Sequence, residues 1–206
     1  MAEQDCRDRL IDAALNLGVR FGYEATSIDQ IAASAGVTPA EFGRYFATKD
    51  AVIMSIIDDL VQATAATLPH VEAAASPEQA LLIATTEVMT AITDGRGVIT
   101  RDRMLAMSEI VSTQPGLRKQ ASRTRKRVLT QALADRLGVA ADKRRVRQAV
   151  TMWSAVASGA YVSRSTMADH YDPGLDDQLE QRMVVELTAS FTEVMGDNHA
   201  EPDASS

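Results

Sequence analysis

The sequence is poor in the residues that usually announce chemistry. Among 206 residues there is one cysteine, one tryptophan, four tyrosines, four phenylalanines and three histidines. A single thiol, Cys6, cannot close an internal disulfide and has no His or Cys near it in sequence, so it is read as a spectator. His70, His170 and His199 are dispersed and lack metal-ligand spacing, so no metal or cofactor is expected. There is no phosphate-cradling Gly loop, no G-x-S-x-G and no HExxH. Asp58–Asp59 and Asp176–Asp177 are expected to be exposed helix residues, and an enzyme is not expected. No apolar run approaches the ~18–20 residues of a membrane span. The opening MAEQDCRDRL holds no apolar signal core, so export is not implied and a cytoplasmic protein is expected. Aromatics make up 4% of a chain that is 46% hydrophobic, so aliphatics and nine methionines must fill the core.

Positive charge is scarce overall and unevenly placed. The net charge is −7. Residues 1–50 hold five Lys/Arg against eight Asp/Glu, net −3. Residues 96–147 hold fourteen against four, net +10, and residues 164–203 hold two against ten, net −8. Overall charge therefore does not identify a partner.

What is present is helix. Leu10, Ala14, Leu17 and Phe21 recur on one face of a helix over about 4–21, which Gly22 ends. Ser27 with Gln30 forms a capping box for a helix over 27–34, closed by Gly36. Thr38, Pro39 and Glu41 repeat the signal for a helix over 38–45. Thr48 caps a longer helix stopped by Pro69, and Ser76-Pro77 with Gln79 starts another. Further helices are expected over 99–112, 115–137, 142–168 and 175–195. The expectation is all-α: about nine helices, a three-helix head over 1–50, a larger bundle over 51–195 and a disordered polar tail over 196–206.

The pair 27–34 and 38–45, joined by a tight Gly-containing turn, reads as a helix-turn-helix. In such a unit the second helix lies in the major groove with its first turn near base edges. Helix starts at Ser27, Thr38 and Thr48 offer free N–H groups to phosphate. By helical spacing Val37, Phe42 and Phe46 point inward, and Pro39, Ala40, Gly43 and Arg44 point out. Arg44 is the only cation on this helix and can pair with guanine O6 and N7 or with a phosphate; a solvated surface arginine is the plain alternative. Ser27 and Thr38 are sufficient as caps, and their hydroxyls can also touch the DNA backbone. Glu41 is explained by its capping box.

The run LIDAALNLGVRFGYEATSIDQIAASAGVTPAEFGRYFATKDAV resembles the DNA-binding domain of the TetR family of bacterial repressors, over about residues 7–55. The shared features are the AA…L face, FGYEAT, IDQIAASAGVT, YF and TKD. The resemblance implies a homodimer of all-helical subunits whose C-terminal bundle holds a ligand pocket, ligand binding releasing the operator. Tyr45 and Lys49 match positions that touch phosphate. Gly43 departs from the pattern, where an aromatic that reaches a phosphate is usual. It gives up a DNA-facing side chain and about 1 kcal/mol of helix propensity relative to Ala. Either the helix approaches the groove wall closely or a phosphate contact is lost. With so few cations in the head, weak binding and a shallow salt slope are expected.

In the bundle two apolar faces stand out. One carries Val146, Val150, Trp153, Val156 or Ala157, and Tyr161; the other carries Leu179, Met183, Leu187, Phe191 and Val194. In the resembled family the equivalent helices form the dimer interface, so Val150, Tyr161, Met183, Leu187 and Phe191 are candidates for it; intramolecular core is the alternative. Met89, Ile92, Met104, Met107 and Ile110, with Trp153, are candidates for an adaptable apolar cavity, or plain core. The run from Arg101 to Gly138, with R-x-R-x-x-L, Q-P-G-L-R and A-D-R-L-G, is similar to mycofactocin-type members that respond to acyl-CoA thioesters. That likeness implies that Arg101, Arg103 or Arg123 meets CoA phosphates; RTRKR as a solvated helix face is the alternative. The reading is a DNA-binding regulator with operator DNA, a second copy and a small effector as partners. Its rivals are a helical ligand-binding protein with lost DNA binding, and an enzyme turning over a bound thioester.

Overall fold

The computed structural model describes residues 2–167, with side chains over 3–156. Eight α-helices run through them: α1 (Ala2–Phe21), α2 (Ile28–Ala35), α3 (Pro39–Tyr45), α4 (Lys49–Thr67), α5 (Pro77–Thr93), α6 (Arg101–Thr113), α7 (Pro115–Leu137) and α8 (Arg144–Met167). A 3-10 turn, Leu68–His70, follows α4, and no strand occurs among the described residues. The expected helix over 175–195 and the tail over 196–206 lie outside them.

The helix starts are set by local chemistry. Ser27 accepts from the Gln30 amide while the Gln30 side chain accepts from the Ser27 amide, and Thr38/Glu41 and Ser76/Gln79 repeat this reciprocal box. Each box satisfies two amides that would otherwise lack partners. Between α2 and α3, Gly36 turns the chain at φ +70°, and its N–H reaches Ala32 O and Ala33 O. A left-handed residue at this point is what a helix C-cap favours, and glycine adopts it without steric cost.

The head and the bundle share one continuous core. In the head, Leu10, Ile11 and Ala14 of α1 meet Ile31 and Ala32 of α2 and Phe42 and Phe46 at α3. The two phenylalanine rings lie 6.0 Å apart and tilted by 49°, a favourable aromatic pairing. The face expected for α1 is corrected at its end. Leu17 is half-buried and Phe21 is 63% exposed, with the Arg20 guanidinium 5.3 Å above its ring. Tyr23, beyond the Gly22 turn, takes the buried place instead.

α4 starts in the head and runs into the bundle, packing most extensively on α7 and also on α5 and α1. Its inner face is Val52, Ile53, Ile56, Ile57, Leu60 and Val61. Residues 39–70 hold the one stretch among those described that is long and apolar enough to cross a membrane, which the sequence reading did not find; half of it is buried within the protein. Asp58 and Asp59, expected to be exposed, are half-buried, and Asp59 pairs with Arg7 at 3.6 Å. At the far end of α4, Arg136 of α7 donates to Leu68 O, Val71 O and Glu72 O and so ties down the turn before α5.

Candidate functional site

The outer face of α3 is built as its spacing predicts. Pro39, Ala40, Gly43 and Arg44 are exposed, Phe42 and Phe46 are buried, and Val37 packs half-buried against the core. An added Cβ at Gly43 would meet nothing within 4 Å. The fold therefore does not require glycine there, and a side chain at that position would project only into the space a duplex would fill.

The caps of α2 and α3 differ in a way that bears on phosphate binding. Ser27 Oγ accepts from the Gln30 amide at 3.2 Å, which leaves its own proton to donate outward. Thr38 Oγ1 accepts from the Glu41 amide at 3.2 Å and donates to Glu41 Oε2 at 2.9 Å, so its proton is already engaged. Glu41 also takes the Thr38 amide at 2.8 Å. These bonds from the Thr38 backbone, then its hydroxyl, hold the Glu41 carboxyl below the usual glutamate range. A fixed negative charge thus stands at the first turn of the recognition helix.

Most of the head's cations are engaged inside the protein. Lys49 Nζ donates to Tyr23 O at 2.8 Å, Thr26 O at 3.1 Å and Glu24 O at 3.3 Å, and sits 4.6 Å above the Tyr23 ring. Its three donors bind the loop between α1 and α2, so the position expected to reach phosphate serves as an internal staple. Arg9 donates to Ala35 O at 2.7 Å, which caps α2, and pairs with Asp5 at 3.5 Å. Arg7 pairs with Asp59 and lies 5.8 Å from the Phe46 ring. Among the described residues Arg44 makes no hydrogen bond or ion pair; with Arg20, which lies over the exposed Phe21 ring at the end of α1, it faces outward, and it is the one cation on α3.

Tyr45 is half-buried, and the neighbouring Cys6 side chain, then burial, raises its phenol above the usual range. Cys6, expected to be a spectator, is thus a buried packing partner of the recognition helix. The loop before α2 is fixed a second way. Tyr23 Oη donates to Asp50 Oδ1 at 2.6 Å, and Gln120 of α7 donates to Asp50 Oδ2 at 3.4 Å. Burial, then the Asp50 carboxylate, pushes the Tyr23 phenol well above the ordinary tyrosine range.

In the bundle, Ile92 of α5, Met104, Met107 and Ile110 of α6 and Trp153 of α8 are all buried in the common core, with Met89 half-buried against it. The structure brings these apolar candidates together, but not the cations expected beside them. Arg123 is exposed on α7. Arg103 is turned to α1, donating to Asp8 Oδ1 at 2.9 Å and to Asp12 Oδ1 and Oδ2 at 2.6 and 2.9 Å. Arg101 is half-buried. Sequence reading missed Arg125, which is buried at 6% exposure within a run read as a solvated face. Two open grooves lie elsewhere: one of about 530 Å³ near Thr67, Glu87, Arg96 and Val98, and one of about 600 Å³ near Lys126, Arg144, Arg147 and Met152. Val150, a candidate for the dimer interface, is 1% exposed in its own subunit's core. The side chains of Tyr161, Met183, Leu187 and Phe191 lie outside those described.

The family model "Bacterial regulatory proteins, tetR family" matches residues 10–56. Over 164 residues, 77% of this chain and 71% of the relative, the sequence is 36% identical to the HTH-type transcriptional regulator TcmR of Streptomyces glaucescens. A putative TetR-family regulator from Syntrophomonas wolfei shares the fold at TM-score 0.62 and 16% identity, covering 94% of this chain and 96% of that one. FadR of Thermus thermophilus, a TetR-family repressor solved with lauroyl-CoA, matches at TM-score 0.55 and 18% identity, covering 97% and 98%. SmeT of Stenotrophomonas maltophilia, repressor of the multidrug efflux pump SmeDEF, matches at 0.58 and 17%, covering 92% and 91%. At these identities the solved structures speak for the fold.

Proposed function

The chain belongs to the TetR family of bacterial regulatory proteins, and from that premise we propose that it is a homodimeric, cytoplasmic repressor whose grip on operator DNA is released by a small apolar effector in its bundle. The observation that carries the DNA part is α3: a short helix with Pro39, Ala40, Gly43 and Arg44 all exposed on one face. The exposure of Arg44 supports it as the side chain that meets a guanine edge or a phosphate. Phosphates are then met chiefly by helix N-termini, Ser27 foremost, rather than by side-chain cations. Lys49 and Tyr45 contribute by holding the head's shape.

The effector part rests on Met104, Met107, Ile92 and Trp153, which are packed in the core and whose flexible methionines would part to line a cavity around an apolar ligand. The acyl-CoA bound by a structural relative supports a long acyl thioester as the first probe. Arg101 is the favoured candidate for its anionic end, since Arg103 is engaged by Asp8 and Asp12 and Arg123 is exposed on α7. A specific observation also favours the second reading, a ligand-binding bundle with weak DNA affinity: α3 carries one cation, Arg44, beside the fixed charge of Glu41. Fluorescence anisotropy with the DNA upstream of the protein's own gene, against scrambled DNA at two salt concentrations, separates the two. A clear preference for the upstream duplex that lauroyl-CoA abolishes supports the repressor. Equal binding to both duplexes at low salt, with lauroyl-CoA still bound, supports the second reading.

A further inference from the structure

The contact between α1 and α6 joins the DNA-binding head to the bundle, and it is made at two points. At one, Arg103 of α6 forks over successive turns of α1, meeting both Asp12 oxygens and Asp8 Oδ1, with a longer bond to Asp8 O at 3.3 Å. Only 20% of the Arg103 side chain is exposed. A guanidinium held by two carboxylates is directional as well as strong. At the other, Ile110 of α6 presses into α1 at Gly18, where an added Cβ would lie 2.8 Å from Ile110 Cδ1. Along α1, Gly18 lies about 9 Å from Asp12 and about 15 Å from Asp8. A helix held at two such points follows the helix that holds it rather than rocking against it.

The gripped turn of α1 is also the turn that touches the recognition helix. Arg7, one residue before Asp8, lies 5.8 Å from the ring of Phe46, the C-cap of α3, and Cys6, two residues before, is buried beside Tyr45. The path from the bundle is therefore short: α6, Arg103, residues 6–8 of α1, then α3. On its bundle side, α6 buries Met104 and Met107, the residues that would line an effector site.

We propose that Arg103 is the positioning residue through which the bundle sets the posture of the DNA-binding head. The proposal deepens the repressor reading and rests on it for the direction of control: a shift of α6 around an effector is passed to α3 through the Arg103 fork. In this role Arg103 acts on α1, through Asp8 and Asp12, and not on DNA or effector directly.

The first test needs neither ligand. Nitroxide labels at Ala33→Cys on α2 and Arg127→Cys on α7, both exposed positions, are placed in a full-length Cys6→Ser background. The labelled chain is diluted with unlabelled protein so that pulsed electron resonance reads distances within one chain. A narrow distance distribution is expected for the parent and a broadened, displaced one for Arg103→Gln. Asp8→Asn with Asp12→Asn should give the same change, the combination of all three no more than either, and Arg103→Lys should restore most of the parental distribution. A parental distribution in folded Arg103→Gln overturns the proposal; so does broadening that Arg103→Lys leaves fully in place. If Arg103→Gln does not fold, the two Asp→Asn changes carry the same readout. The second test uses a duplex selected from random sequence, with lauroyl-CoA as probe. The parent should release DNA, and Arg103→Gln should respond about tenfold more weakly, the scale of a typical allosteric coupling. An undiminished response in Arg103→Gln also overturns the proposal. If lauroyl-CoA releases nothing from the parent, the effector reading fails by itself and the distance measurement still decides the role of Arg103.

Discussion

The two faces of the DNA-binding head are charged on opposite plans. Toward the bundle, ions are paired and directional: Arg103 on Asp8 and Asp12, Arg7 on Asp59, and Gln120 and Tyr23 on Asp50. Toward the space where DNA would lie, Arg44 stands beside the fixed Glu41 carboxylate. The head is held firmly and reads with little charge. Affinity for DNA should then depend on how the head is placed more than on how many phosphates it neutralises, which suits a protein whose function is to let go.

The largest effect should come from cutting the inner network. Lys49→Met removes a charged donor from three carbonyls, a loss of about 2–3 kcal/mol, and should lower the thermal midpoint by several degrees. The test that sharpens the comparison is the salt slope of DNA binding, which should stay unchanged if the three carbonyls that hold Lys49 keep it from phosphate. A shallower slope would place Lys49 on the outer face after all. Next, Arg44→Ala should weaken binding to a preferred duplex by about 1–3 kcal/mol and relax the preference at one base pair, with the thermal midpoint unmoved. The pair of variants thus moves stability in one case and recognition in the other.

Those two fates were not equally legible in the sequence. Caps and turns were, because their chemistry is local: Ser27 finds Gln30, Thr38 finds Glu41, Ser76 finds Gln79, and Gly36 turns the chain between them. The exposed face of α3 followed from helical spacing alone. Long-range partners were not legible. Lys49 meets carbonyls 23 to 26 residues earlier, and Arg103 meets acids 91 and 95 residues away. No spacing rule carries that information, so both were read as free to meet phosphate. Phe21 misled for a related reason: its period places it on the core face of α1, but the core has ended by that turn, and Tyr23 fills the space. Val150 fits a helical stripe that serves the subunit's own core, which periodicity cannot distinguish from an interface.

Smaller effects probe the outer face further. Gly43→Ala should stabilise the protein by up to about 1 kcal/mol through helix propensity, because the added methyl meets nothing; calorimetry checks it. If affinity for the preferred duplex falls at the same time, close approach to the groove is the reason for the glycine. The smallest expected effect is at Glu41. Its carboxyl lies below its ordinary range when folded, so its contribution to the α3 cap is present above the unfolded value and is lost as pH falls through the folded one. Glu41→Gln should therefore flatten the acid limb of the stability profile slightly while tightening DNA binding, as one negative charge leaves the face.

Selection from a pool of random duplexes tests the central claim most directly, carried out with the parent and with Arg44→Ala. The account predicts that the parent enriches a paired site whose half-sites are about 10 base pairs apart, as two recognition helices on a two-fold dimer require, and that Arg44→Ala loses the preference at one position in each half. A parent that enriches no sequence at low salt, while remaining folded and dimeric, would contradict it and leave a ligand-binding bundle carrying a head that no longer reads DNA.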